Sequence, residues 1–156
     1  MEEDDLFKFV EELPHNLKIQ VSYYLHQETY QTMYFLQDKK ISFIAWICPM
    51  LKQKFILENE IVYFEGDQIQ NIYFMKAGAC AFVLPKYDNA KYINISLGYH
   101  FGMEDLVHSV INNDDIMMSD WVSNKERLTR AFTVVGDEND GKSQIMCLDI
   151  QDLYRM

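Results

Sequence analysis

Glu65-Gly66-Asp67 is followed by Ile72-Tyr73-Phe74-Met75, by Gly78, and by Ala79-Cys80-Ala81-Phe82-Val83-Leu84. Two carboxylates around a glycine, set between apolar runs, make a tight turn. Glycine reaches positive φ without steric cost, and aspartate hydrogen-bonds the backbone beside it. The flanking runs are short, aromatic and β-branched, which is strand composition. The pattern therefore predicts Gly66 at positive φ and Ile72, Phe74 and Val83 inside a β-roll.

The same rhythm extends both ways. Upstream, Phe55-Ile56-Leu57 and Ile61-Val62-Tyr63-Phe64 are split by Glu58-Asn59-Glu60. Downstream, Pro85 and Tyr87-Asp88-Asn89 close one strand, and Tyr92-Ile93-Asn94-Ile95 forms another before Gly98. Strand character returns at 131–135 and, after the glycine-flanked turn cluster 136–141, at 143–148. Asp149 then reads as the N-cap of a last helix. Short strands at roughly eight-to-twelve-residue spacing predict an antiparallel sandwich or roll of about eight strands.

Ahead of this region the period is helical. Leu6, Phe9, Val10 and Leu13 share one face up to Pro14, which cannot continue a helix. A second helix starts at His15-Asn16, with Leu17, Val21, Tyr24 and Leu25 as its apolar face. A third covers 41–51, with Phe43, Ile44, Ile47 and Leu51, and contains or ends near Pro49. The fold class is therefore α+β, with a helical linker-like segment over 1–52 and an antiparallel β-roll, a double-sheet jelly roll, over 53–156. Residues 103–111 revert to helical spacing. Residues 112–128 lose periodicity and carry Asp114, Asp115, Asp120 and Glu126. That length without a pattern predicts a loosely packed insert. The last helix is expected to continue beyond Met156, as in a fragment of a longer chain.

Composition narrows the function. With 49% hydrophobic residues and 24% charged, the chain has the make-up of a folded domain. The net charge of −10 leaves no basic stripe to displace counterions from phosphates, which argues against nucleic acid. Cys48, Cys80 and Cys147 are far apart and odd in number, so they read as buried thiols in a reducing compartment. No apolar run approaches the ~20 residues of a membrane span, and the acidic start is unlike an export signal. There is no nucleophile elbow, P-loop or Cys-x-x-Cys, so no enzyme is expected. His100 and Glu104 form half of a cupin-type metal motif, but His108, His15 and His26 are too distant in sequence to complete it.

Taken in order, the Glu65-Gly66-Asp67 turn, the run 72–75, Gly78, His100-Phe101-Gly102-Met103-Glu104-Asp105-Leu106 and Arg130-Ala131-Phe132-Thr133-Val134 resemble the cyclic-nucleotide-binding domain family. That family has a Glu-Gly-Asp turn, a glycine between strands, a Phe-Gly-Glu…Leu phosphate cassette and a closing Arg-(Ser/Thr)-Ala-(Ser/Thr)-Val. Glu11-Glu12-Leu13-Pro14 and the helix with Phe43-Ile44 are similar to the linker preceding this domain in voltage-gated or cyclic-nucleotide-regulated cation channels, potassium channels above all. The resemblance implies a cassette of Phe101, Gly102, Met103, Glu104 and Leu106. Gly102 and the following amides would cradle a cyclic phosphate, Arg130 would bind it bidentately, and Ala131 stands where a hydroxyl residue is expected.

Met103 occupies the position of the family's ribose-binding glutamate, and a thioether accepts hydrogen bonds only weakly. Glu104, one place later, points roughly 100° away around a helix. Between Leu106 and Arg130 stand 23 residues, many more than the family's short link.

The resemblance implies a cytoplasmic regulatory domain on the inner face of a membrane. Its partners would be the rest of a channel and sister subunits, with cAMP or cGMP as regulatory ligand and no other cofactor. Weak or absent nucleotide binding is expected, strengthened by Met103→Glu. The rivals are a nucleotide-independent docking module and a free cytosolic sensor or kinase regulatory subunit.

Overall fold

The computed structural model describes residues 3–105, 129–138 and 141–154. Pro14 separates α1 (Glu3–Glu11) from α2 (His15–Leu25), as its missing amide hydrogen requires. The stretch from His15 to Leu36 is broken into shorter pieces. α2 breaks at His26, α3 runs Gln27–Thr32, and a 3₁₀ turn covers Tyr34–Leu36. α4 (Ile41–Ile47) ends in a second 3₁₀ turn, Cys48–Met50, which contains Pro49.

The face expected for α2 is corrected. Leu17 is 50% exposed and Tyr24 74%, whereas Ser22 is buried and Ile19 and Tyr23 are half-buried. α2 packs on α4 along that other stripe. Apolar side chains occur all round α2, so spacing alone does not single out the face that is covered.

Among the described residues eight strands follow: β1 (Lys52–Ile56), β2 (Ile61–Tyr63), β3 (Asn71–Ala77), β4 (Cys80–Leu84), β5 (Ala90–Ile95), β6 (His100–Phe101), β7 (Thr133–Gly136) and β8 (Ser143–Asp149). They form two antiparallel four-stranded sheets, ordered β1-β8-β3-β6 and β2-β7-β4-β5. β1 starts earlier than its apolar residues suggest, because Lys52 to Ile56 pair continuously with Cys147 to Ser143. Its exposed lysines suit an edge strand, where they oppose pairing with another chain. Gly66 has φ +92°, as the turn requires. Asp149 accepts the Gln151 amide hydrogen at 2.7 Å and so caps α5 (Ile150–Tyr154).

Two cores lie on opposite faces of β3. Tyr73 and Met75 face the second sheet, with Ile56, Tyr63, Phe82, Phe101 and Val134. Ile72 and Phe74 are buried, but they face the helices rather than the roll interior, against Met33, Leu36, Ile44 and Ile47. A strand covered on both faces has no alternation of polar and apolar residues to tell its two sides apart. Val83 is buried on β4. The helices from Tyr30 onward thus share a core with the roll. Among the described residues no helix is long and apolar enough to cross a membrane.

Candidate ligand site

The turn at Glu65-Gly66-Asp67 and the segment leading into β7 hold each other. The Gly66 amide donates to the Arg130 carbonyl at 2.8 Å, and the Arg130 amide donates to the Asp67 carbonyl at 2.8 Å. Asp67 steadies the turn by accepting the Phe64 amide hydrogen at 2.9 Å. Two motifs more than sixty residues apart in sequence therefore place the Arg130 side chain together.

That side chain runs inward, with 1% exposure. Its Nη1 donates to Asp105 Oδ2 at 3.0 Å and to the Gly102 carbonyl at 2.7 Å, and its Nη2 donates to the Asn71 carbonyl at 2.5 Å. The guanidinium lies 4.0 Å from the ring centre of Tyr63, a cation–π contact in a desolvated setting. Asp105 is fully buried, and its second oxygen accepts the Ala131 amide hydrogen at 2.7 Å. One carboxylate thus takes both the arginine and a backbone amide two residues before β7.

The glycine of the cassette is also engaged. Gly102 has φ +89°, and a Cβ there would stand 2.9 Å from Arg130 Nη1, so a side chain would push the guanidinium away. Its amide donates to Glu104 Oε2 at 2.7 Å. The cradle amide and the arginine are both satisfied by carboxylates from the next three residues.

The other cassette residues separate. Phe101 is fully buried and stacks on Tyr73 at 5.1 Å, so it belongs to the roll core. Met103 packs against the helix-side core. A carboxylate at that position would stand against apolar side chains. Leu106 and the 112–128 insert lie outside the described residues, as does His108. His100 is exposed and meets Phe35 and Phe74 edge-on. Among the described residues no three His, Cys, Asp or Glu side chains gather as a metal site requires.

Burial raises the Tyr63 phenol, and the nearby Asp105 carboxylate raises it further. The Tyr63 hydroxyl has no hydrogen-bond partner among the described residues. Burial also pushes the Cys48 and Cys80 thiols up to about 12 and raises Cys147, which is half-buried rather than fully so. Beside the cassette a cavity of about 570 Å³ is lined by Phe82, Tyr92, Tyr99, Phe132, His100 and Glu104, among others.

No protein-family model and no curated protein matches the sequence. The fold does have a counterpart. A crystal structure from Geobacter metallireducens GS-15, described as a "Putative Cyclic nucleotide-binding protein", matches with a TM-score of 0.60 at 9% identity, over 83% of this chain and 79% of that one. The fold is a cyclic-nucleotide-binding-type β-roll. In this roll the Asp105 partnership is what sequence reasoning missed. The available signal was a second acid, Asp105, directly after Glu104 in the cassette.

Proposed function

We propose that this chain is a regulatory module on a cyclic-nucleotide-binding-type roll whose anion site is closed by its own carboxylates, so that it works without a nucleotide. The Arg130–Asp105 pair carries this reading, with side chains 1% and 0% exposed. An incoming cyclic phosphate must displace Asp105 from Arg130 and from the Ala131 amide. Separating a buried pair costs about 3–5 kcal/mol, or roughly two to four decades of affinity. The net charge of −10 opposes the same ligand.

The module acts, on this proposal, as the cytoplasmic gating domain of a cation channel. The lead-in resemblance at 11–14 supports that context, as does the core shared by α3, α4 and β3, which ties any displacement of the roll to the helices. Phe9, Leu17 and Tyr24 remain exposed on α1 and α2, apolar surface suited to contact with sister subunits. A catalytic role is not part of the proposal, and the raised thiols are poor nucleophiles at neutral pH.

Isothermal titration of cAMP and cGMP into the wild-type chain tests the reading. The expected dissociation constants are no better than tens of micromolar. Sub-micromolar binding of either nucleotide would overturn it.

A further inference from the structure

The cavity beside the cassette suits a charge opposite to that of a cyclic phosphate. Its volume of about 570 Å³ is that of a small-molecule site. Phe82 meets Phe132 edge-on at 5.8 Å and Tyr92 at a tilt at 6.2 Å, so three rings converge on one wall. Glu104 is the only carboxylate among the described lining residues, and no lysine or arginine joins it. The Tyr92 phenol is raised by burial and then by the Asp105 and Glu65 carboxylates. Aromatic faces favour cations.

We propose that this cavity binds a small organic monocation with a flat apolar body, an arylalkyl ammonium, its ring among Phe82, Tyr92 and Phe132 and its ammonium against Glu104. The inference rests on the reading that Arg130 is neutralised by Asp105, because a free guanidinium would cancel the attraction. Glu104 keeps its bond to the Gly102 amide through one oxygen, and a carboxylate has acceptor capacity for the ligand as well.

Three indoles of one shape and different charge test this by isothermal titration into the full chain at low salt. They are tryptamine (cation), indole-3-ethanol (neutral) and indole-3-acetate (anion). Tryptamine should bind about tenfold tighter than the alcohol, the worth of a charge-assisted hydrogen bond, and the acetate should be weakest. Glu104→Gln preserves an acceptor for the Gly102 amide and should bring tryptamine down to the level of the alcohol. Phe132→Ala should weaken all three.

The proposal is overturned if no indole binds at millimolar concentration, if the acetate binds as well as tryptamine, or if Glu104→Gln leaves the order unchanged. A parallel cAMP titration separates the two readings. Silence from both ligands removes only the cation site, whereas tight cAMP binding removes the reading of Arg130 as well.

Discussion

Asp105 holds Arg130 through one carboxylate oxygen at 3.0 Å and the backbone of the next residue, Ala131, through the other at 2.7 Å. The pair is buried, so removing one member strands a charge. Asp105→Asn should destabilise the fold by about 3–5 kcal/mol in urea denaturation. Replacing both residues together, as Asp105→Leu with Arg130→Met, should cost much less, since apolar residues of similar volume often replace a buried pair at little expense. Equal losses in the single and double variants would show that the pair is not a unit.

Removing the internal carboxylate should make the site receptive to an anion. Asp105→Ala takes the carboxylate from the Arg130 guanidinium, which keeps the Gly102 and Asn71 carbonyls, and leaves the Ala131 amide without its acceptor. Millimolar cAMP should then raise the melting temperature of this variant by several degrees while leaving wild type unmoved, as mass action requires for a ligand of the folded state. An equal response in both proteins would show that Asp105 does not occupy the phosphate position.

Phe74 is 2% exposed and lies 5.7 Å from the Phe35 ring. Phe74→Ala should cost about 3–5 kcal/mol as a large-to-small core change. Because Phe74 faces the helices, hydrogen exchange should accelerate first at 34–47 rather than in the β2-β7-β4-β5 sheet. The reverse order would return Phe74 to the roll interior.

His26 titrates below its ordinary value of 6.5, mainly through burial and then through the charge of Lys76. The unfolded chain therefore takes up a proton before the folded one does. The contribution is present in full above about 6.5 and is lost as pH falls through the folded value. His26→Gln should flatten this part of the pH dependence of stability below 6.5. Identical slopes in the two proteins would exclude His26 as the source.

The thiols of Cys48 and Cys80 sit up to about 12 and are buried. At pH 8 the native protein should react with a disulfide reagent slowly, with Cys147 the first to label, and urea should release all three at once. Rapid native labelling of Cys80 would mean that the roll opens readily.

Much of this architecture is legible from residue chemistry. Pro14, the Gly66 turn and the Asp149 cap each act within a few residues, so their effects are written locally. The face of α2 and the two sides of β3 are not, because each depends on which neighbour arrives from elsewhere in the chain. The same distinction divides the site. Gly102 and Arg130 stand out as motif residues, whereas the pairing with Asp105 forms only when 25 positions of sequence separation are closed.

Alternation along β3 also limits how this domain can move. Shifting the strand by one position would exchange Ile72 and Phe74 with Tyr73 and Met75, presenting each compartment with side chains shaped for the other. Lengthwise sliding is therefore blocked, and β3, paired on both edges, moves with its sheet. A disturbance at Asn71, whose carbonyl receives Arg130, therefore reaches α4 without a change of register.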